Sequence, residues 1–151
     1  MVGHSRGGEA VAIAAAFNKL ERYPNSAWIK WDFNFEIKSV IAIAPVDQQH
    51  KPAGHPVEIV DVNYLVLHGA HDADVSKYYG LRQIQRVTFT DPESNLFKAG
   101  LYIYQANHGQ FNSVWGNRDY GLPLKPFLNV RPLLKPEEQQ QIAKLYISAF
   151  L

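Results

Sequence analysis

Three residue types in this 151-residue chain could together carry nucleophilic chemistry: a serine between glycines, aspartates behind a strand, and histidines on loops. Ser5 lies in Gly3-His4-Ser5-Arg6-Gly7, a G-x-S-x-G pattern that runs directly into the helix-forming stretch Ala10-Val11-Ala12-Ile13-Ala14-Ala15-Ala16-Phe17. Small residues on both sides of a serine let the backbone turn sharply from strand to helix and lift the hydroxyl clear of a sheet. A serine hydroxyl is a poor nucleophile at its own pKa. It needs a base within hydrogen-bond reach and a third group to orient that base. Asp72 and Asp74 follow the apolar run Tyr64-Leu65-Val66-Leu67, and His108 follows Leu101-Tyr102-Ile103-Tyr104. In a parallel sheet the residues after each strand emerge at one edge, so Ser5, an aspartate and His108 would converge there.

The elements needed for that convergence are legible. Residues 9–20 read as a helix, and Ile37-Lys38-Ser39-Val40-Ile41-Ala42-Ile43-Ala44 as a buried strand ending at Pro45. Residues 64–67 and 101–104 read as two further strands, with a helix over 76–87 between them. A last helix starts at Lys135-Pro136-Glu137-Glu138, where a first-turn proline and two acids suit a helix N-terminus. Its apolar face would be Ile142, Leu145, Tyr146, Ala149 and Phe150. Strands alternating with helices predict βα units and a mostly parallel sheet, three strands and a stub wide, in an α/β three-layer αβα sandwich. Strands buried on both faces should be continuously apolar, as residues 40–44 and 65–67 are. The aromatics of residues 26–36 (Trp28, Trp31, Phe33, Phe35) read as core and loop packing. Residues 117–135 read as an ordered but irregular crossing, and the polar loop 46–58 lies where a strand end could border a substrate pocket.

Composition bounds the rest. With 46% hydrophobic and 13% aromatic residues the chain can build a substantial core as one domain. Lys+Arg 15 against Asp+Glu 14 gives a net charge of +1 without a basic run, so there is no electrostatic case for nucleic acid. No apolar stretch approaches the roughly 20 residues of a membrane span. The absence of cysteine excludes disulfides, a thiolate nucleophile and Cys-ligated zinc, and leaves the compartment open.

The serine turn resembles the nucleophile elbow of the α/β-hydrolase family, most closely its bacterial esterase, dienelactone-hydrolase-like and polyester-hydrolase-like members. The resemblance implies the chain order Ser, acid, His, which Ser5, Asp72 and His108 satisfy. Gly69-Ala70-His71-Asp72 resembles the family's G-x-x-D acid turn, which favours Asp72 over Asp74, the latter then being a cap for the following helix. Ala106-Asn107-His108-Gly109-Gln110-Phe111 resembles the family's histidine loop. The implied activity is cleavage of a small-molecule carboxylic ester through an acyl-serine, without a cofactor. Arg6 N–H would be one oxyanion donor, and His4 and Val46 would line the substrate site. His68, His71 and Asp72 form a conceivable metal set, but their closeness in sequence disfavours a relaxed one. His50 and His55 lie on the loop before the acid strand.

Against the family pattern, the elbow is preceded only by Met1 and Val2, and the loop that supplies a second oxyanion donor has no counterpart. The expectation is therefore that residues 1–151 are the C-terminal part of a single catalytic domain, with N-terminal strands missing and little activity alone. Rival readings are a peptidase or acyltransferase on the same site, or a non-catalytic domain that keeps the fold for binding.

Overall fold

A computed structural model describes residues 1–119 and 129–151. Residues 120–128 of the crossing expected over 117–135 lie outside the described residues. The main sheet contains β1 (Val2–His4), β2 (Ser39–Ile43), β4 (Asn63–Gly69) and β6 (Lys98–Ile103), in the order β1-β2-β4-β6. All three pairings are parallel, with Ile41 opposite Val2 and Leu65, and Leu67 opposite Leu101. Two short strands unforeseen from sequence, β3 (Ile59–Val60) and β5 (Val87–Thr88), pair in a separate small sheet.

Side chains alternate across the central strands with the period of two that a pleated strand imposes. Val40, Ala42, Tyr64 and Val66 pack on one face, where α1 (Arg6–Phe17) contributes Ala12 and Ala15 and α2 (Tyr79–Gln85) contributes Ile84. Ile41, Ile43, Leu65 and Leu67 pack on the other face against Ala143, Ile142, Ile147 and Phe150 of α3 (Pro136–Phe150). This is an α/β three-layer sandwich with a parallel sheet, as the sequence led us to expect. Burial on both faces explains why β2 and β4 read as continuous apolar runs.

Several boundaries differ from expectation for local reasons. α1 stops at Phe17 instead of running to residue 20, and the side-chain amide of Asn18, its C-cap residue, bonds both backbone groups of Phe35: Nδ2 donates to its carbonyl at 2.7 Å and Oδ1 accepts its N–H at 2.9 Å. α2 is shorter than 76–87. Its start is delayed by the turn after Asp72, and Val87 is taken by β5. α3 begins at Pro136 as expected, with Glu138 Oε2 accepting the Lys135 N–H at 3.1 Å. The aromatics of residues 26–36 are not core: Trp28 is 93% exposed and Phe35 68%. Phe17, Trp31, Phe33 and Phe35 instead stack in series at centroid spacings of 5.6, 5.8 and 6.1 Å beside the β1 edge. Among the described residues no helix is long and apolar enough to cross a membrane.

Candidate active site

Ser5 occupies the turn between β1 and α1 with φ 58° and ψ −122°, a region that L-residues rarely enter and that costs about 1–3 kcal/mol. The turn is held from both sides. Ser5 N–H donates to the Ile43 carbonyl at 2.9 Å, and the Ser5 carbonyl accepts from Val46 N–H at 3.3 Å and Gly8 N–H at 2.9 Å. Two glycines make it possible. A Cβ on Gly3 would lie 2.0 Å from the Gly7 carbonyl oxygen, and one on Gly8 would lie 2.7 Å from Pro45 Cβ. A Cβ on Gly7, the second glycine of the sequence pattern, would meet nothing. Arg6 opens α1, where first-turn N–H groups have no intrahelical partner.

Asp72 ends the turn after β4 and is buried. Its Oδ1 accepts the N–H of Asp74 at 3.0 Å and of Val75 at 2.6 Å, which fixes the carboxylate plane. Its Oδ2 is thereby aimed at His108 Nδ1, 2.8 Å away, and His108 is fully buried. Because a carboxylate only accepts, Nδ1 carries the proton and Nε2 of the neutral ring is the lone-pair nitrogen. His108 Nε2 has no hydrogen-bond partner among the described residues, although Asp74 Oδ2 lies 3.4 Å away. Burial opposes charge on His108, but the Asp72 hydrogen bond and charge, with Asp74 and Asp119, outweigh it and hold the ring above the usual histidine pKa.

The histidine loop follows β6, yet it folds back across the end of β4 toward β1. Gly69 permits this: a Cβ there would lie 2.4 Å from the Ala106 carbonyl oxygen, and His71 N–H donates to that oxygen at 2.8 Å. Beside Ser5, His4 Nε2 donates to the His108 carbonyl at 3.2 Å, and the two rings lie 4.7 Å apart. His4 also packs on Phe111 and Trp115. Burial, then the neighbouring His108, lowers its pKa to about 4, so it stays neutral near pH 7. The loop is further pinned from α3, where the buried Gln139 accepts the Asn107 N–H at 3.0 Å and donates to the Asn107 carbonyl at 2.8 Å.

The structure thus gathers His4, Asp72 and His108 at one sheet edge with Ser5 on the adjoining turn. Val46 is buried and touches Ser5 through its backbone. Asp74 does not cap α2, whose N-cap is Tyr78 without a side-chain bond; its carboxylate faces His108 instead. His50 and His55 are exposed, and His50 borders a cavity together with Arg6 and Glu9. His68 donates through Nε2 to the Val75 carbonyl at 3.1 Å, and burial lowers its pKa. Among the described residues no group of His, Cys, Asp or Glu is arranged to hold a metal ion. Sequence reasoning passed over Gln139 and Asp119, which lie in no motif and act through backbone groups of the two loops.

No protein-family model matches the chain, and no curated protein matches it. Among solved structures, the crystal structure of the esterase domain from a Rhodothermus marinus protein is similar at 17% identity with a TM-score of 0.49. That similarity covers 96% of this chain and 56% of the other, so the chain spans little more than half of that structure's length.

Proposed function

We propose that this chain carries the Ser-Asp-His machinery of a serine hydrolase acting on carboxylic esters, with Ser5 as nucleophile, His108 as base and Asp72 as its orienting acid. The observation that carries this reading is a conjunction: a non-glycine residue held at φ 58° on a strand-to-helix turn, beside a buried carboxylate–imidazole pair at 2.8 Å. Structural burial alone gives no reason to strain a serine, and backbone strain of this kind clusters at working sites.

The chemistry follows from the atoms. His108 Nε2 takes the Ser5 hydroxyl proton as Oγ adds to the ester carbonyl, and the imidazolium is stabilised by Asp72 Oδ2. The tetrahedral oxyanion is met by Arg6 N–H at the positive end of α1. Collapse expels the alcohol with the proton returned from Nε2, leaving an acyl-serine. Water activated by the same nitrogen then releases the acid and restores the hydroxyl. No step calls on a cofactor. His4 and Val46 hold the serine turn and the histidine loop at the border of the substrate site.

The test is turnover of a panel of chromogenic esters against the matching anilides. Ester cleavage, however slow, that disappears in His108→Gln is expected. Cleavage of anilides at comparable rates, or ester turnover indifferent to His108, would overturn the ester-hydrolase assignment.

A further inference from the structure

Asp119 is a buried carboxylate with no place in the three-residue mechanism. It lies 12 residues beyond Asn107 and 46 beyond Ala73, yet it bonds to both. Its Oδ2 accepts the Ala73 N–H at 2.8 Å, and its Oδ1 accepts the Gly109 N–H and Asn107 Nδ2, each at 2.7 Å. Ala73 directly follows the acid, and Asn107 and Gly109 flank the base. A carboxylate is the only side-chain group that can accept on both oxygens and offer no donor to three converging N–H groups. An asparagine amide would turn an NH2 toward one of them. Burial raises the Asp119 pKa, opposed by the N–H groups of Ala73 and Gly109, so the side chain remains buried despite a cost in its charged form. Asp72 lies close enough to add repulsion. An apolar side chain here would leave those three N–H groups without their acceptor.

Resting on the triad reading above, we infer that Asp119 is a positioning residue: a strut between the acid turn and the histidine loop that sets the Asp72–His108 distance and angle. Among the described residues the other backbone ties between these segments, Ala70 N–H to the Ile103 carbonyl and His71 N–H to the Ala106 carbonyl, stop two residues short of His108. Loss of the strut therefore misaligns the pair without dismantling the sheet.

The experiment compares Asp119→Asn and Asp119→Ala with the parent protein by two readouts. One is the downfield proton resonance of the hydrogen-bonded His108 Nδ1–H, assigned by its loss in His108→Gln. The other is kcat and KM for an ester. Asp119→Ala should broaden or abolish the resonance and lower kcat on the order of 10²-fold, the scale of an ångström misplacement, with KM near the parent value. Asp119→Asn, which keeps one acceptor oxygen, should fall between. If Asp119→Ala does not fold, Asp119→Asn alone decides. A folded variant with a lowered melting temperature but an unchanged resonance and kcat would reduce Asp119 to a structural residue. A protein without ester turnover, whose resonance still responds to Asp119, would refute the hydrolase reading and leave the strut standing.

Discussion

At the scale of single residues, the proposed site turns on which carboxylate would serve His108. Asp72 and Asp74 lie two positions apart, and both reach the imidazole, one at Nδ1 and the other near Nε2. Only Asp72 is buried and locked by its own turn, so only it can fix a tautomer. Asp72→Asn can present an NH2 to Nδ1 and force the proton onto Nε2, which removes the base. We expect a loss of about 10⁴-fold in kcat, the cost typical of the wrong tautomer. Asp74→Asn should behave differently. His108 is held above its ordinary pKa, and the base works only when neutral, so the rate rises with pH through that raised value. Removing the Asp74 charge lowers the His108 pKa, shifting the acid limb of the pH–rate profile to lower pH while the alkaline plateau stays near that of the parent. A pH profile of both variants separates the roles. If Asp74→Asn abolishes turnover and Asp72→Asn only moves the limb, the two assignments are reversed. Sequence favoured Asp72 through its G-x-x-D setting but gave no hint that Asp74 faces Nε2, because that depends on how the histidine loop folds back.

At the scale of elements, glycines decide how closely backbones approach. Gly3→Ala would drive a Cβ into the Gly7 carbonyl, a backbone atom that cannot rotate away. We expect destabilisation at or above the upper end of the roughly 1–3 kcal/mol typical of overpacking. Gly7→Ala meets open space in a helix, and should stabilise by about 0.4–1 kcal/mol through the unfolded chain. Urea midpoints of the two variants test this, and equal damage from both would contradict the turn geometry described here. The sequence pattern treats the two glycines alike, since it records spacing and not which backbone lies above which. The same limit explains other differences. β2 and β4 were legible because double-sided burial leaves an uninterrupted apolar run. β3 and β5, two residues each, are defined by pairing across 28 positions that no local signal announces. The aromatics at 28–35 carry a strong composition signal, but exposure depends on what packs beside them.

At the scale of the whole molecule, the proposed site rests on parallel topology. β1, β4 and β6 all end at one edge, so the turns after them deliver Ser5, Asp72 and His108 to a single region despite 103 positions separating the first from the last. Strand–helix alternation made the parallel sheet readable in advance. The tertiary ties that complete the proposed site, from Gly69, Gln139, His4 and Asp119, were not, because each joins segments that are distant in sequence. Ester cleavage as proposed requires Ser5 Oγ to be the nucleophile. The most direct measurement is mass-spectrometric mapping of the residue modified by a fluorophosphonate probe in the folded protein. We predict one adduct, on the peptide containing Ser5, that is absent from Ser5→Ala with the fold retained by circular dichroism. An adduct that persists at another residue in Ser5→Ala, or a folded parent protein that never labels, would contradict it.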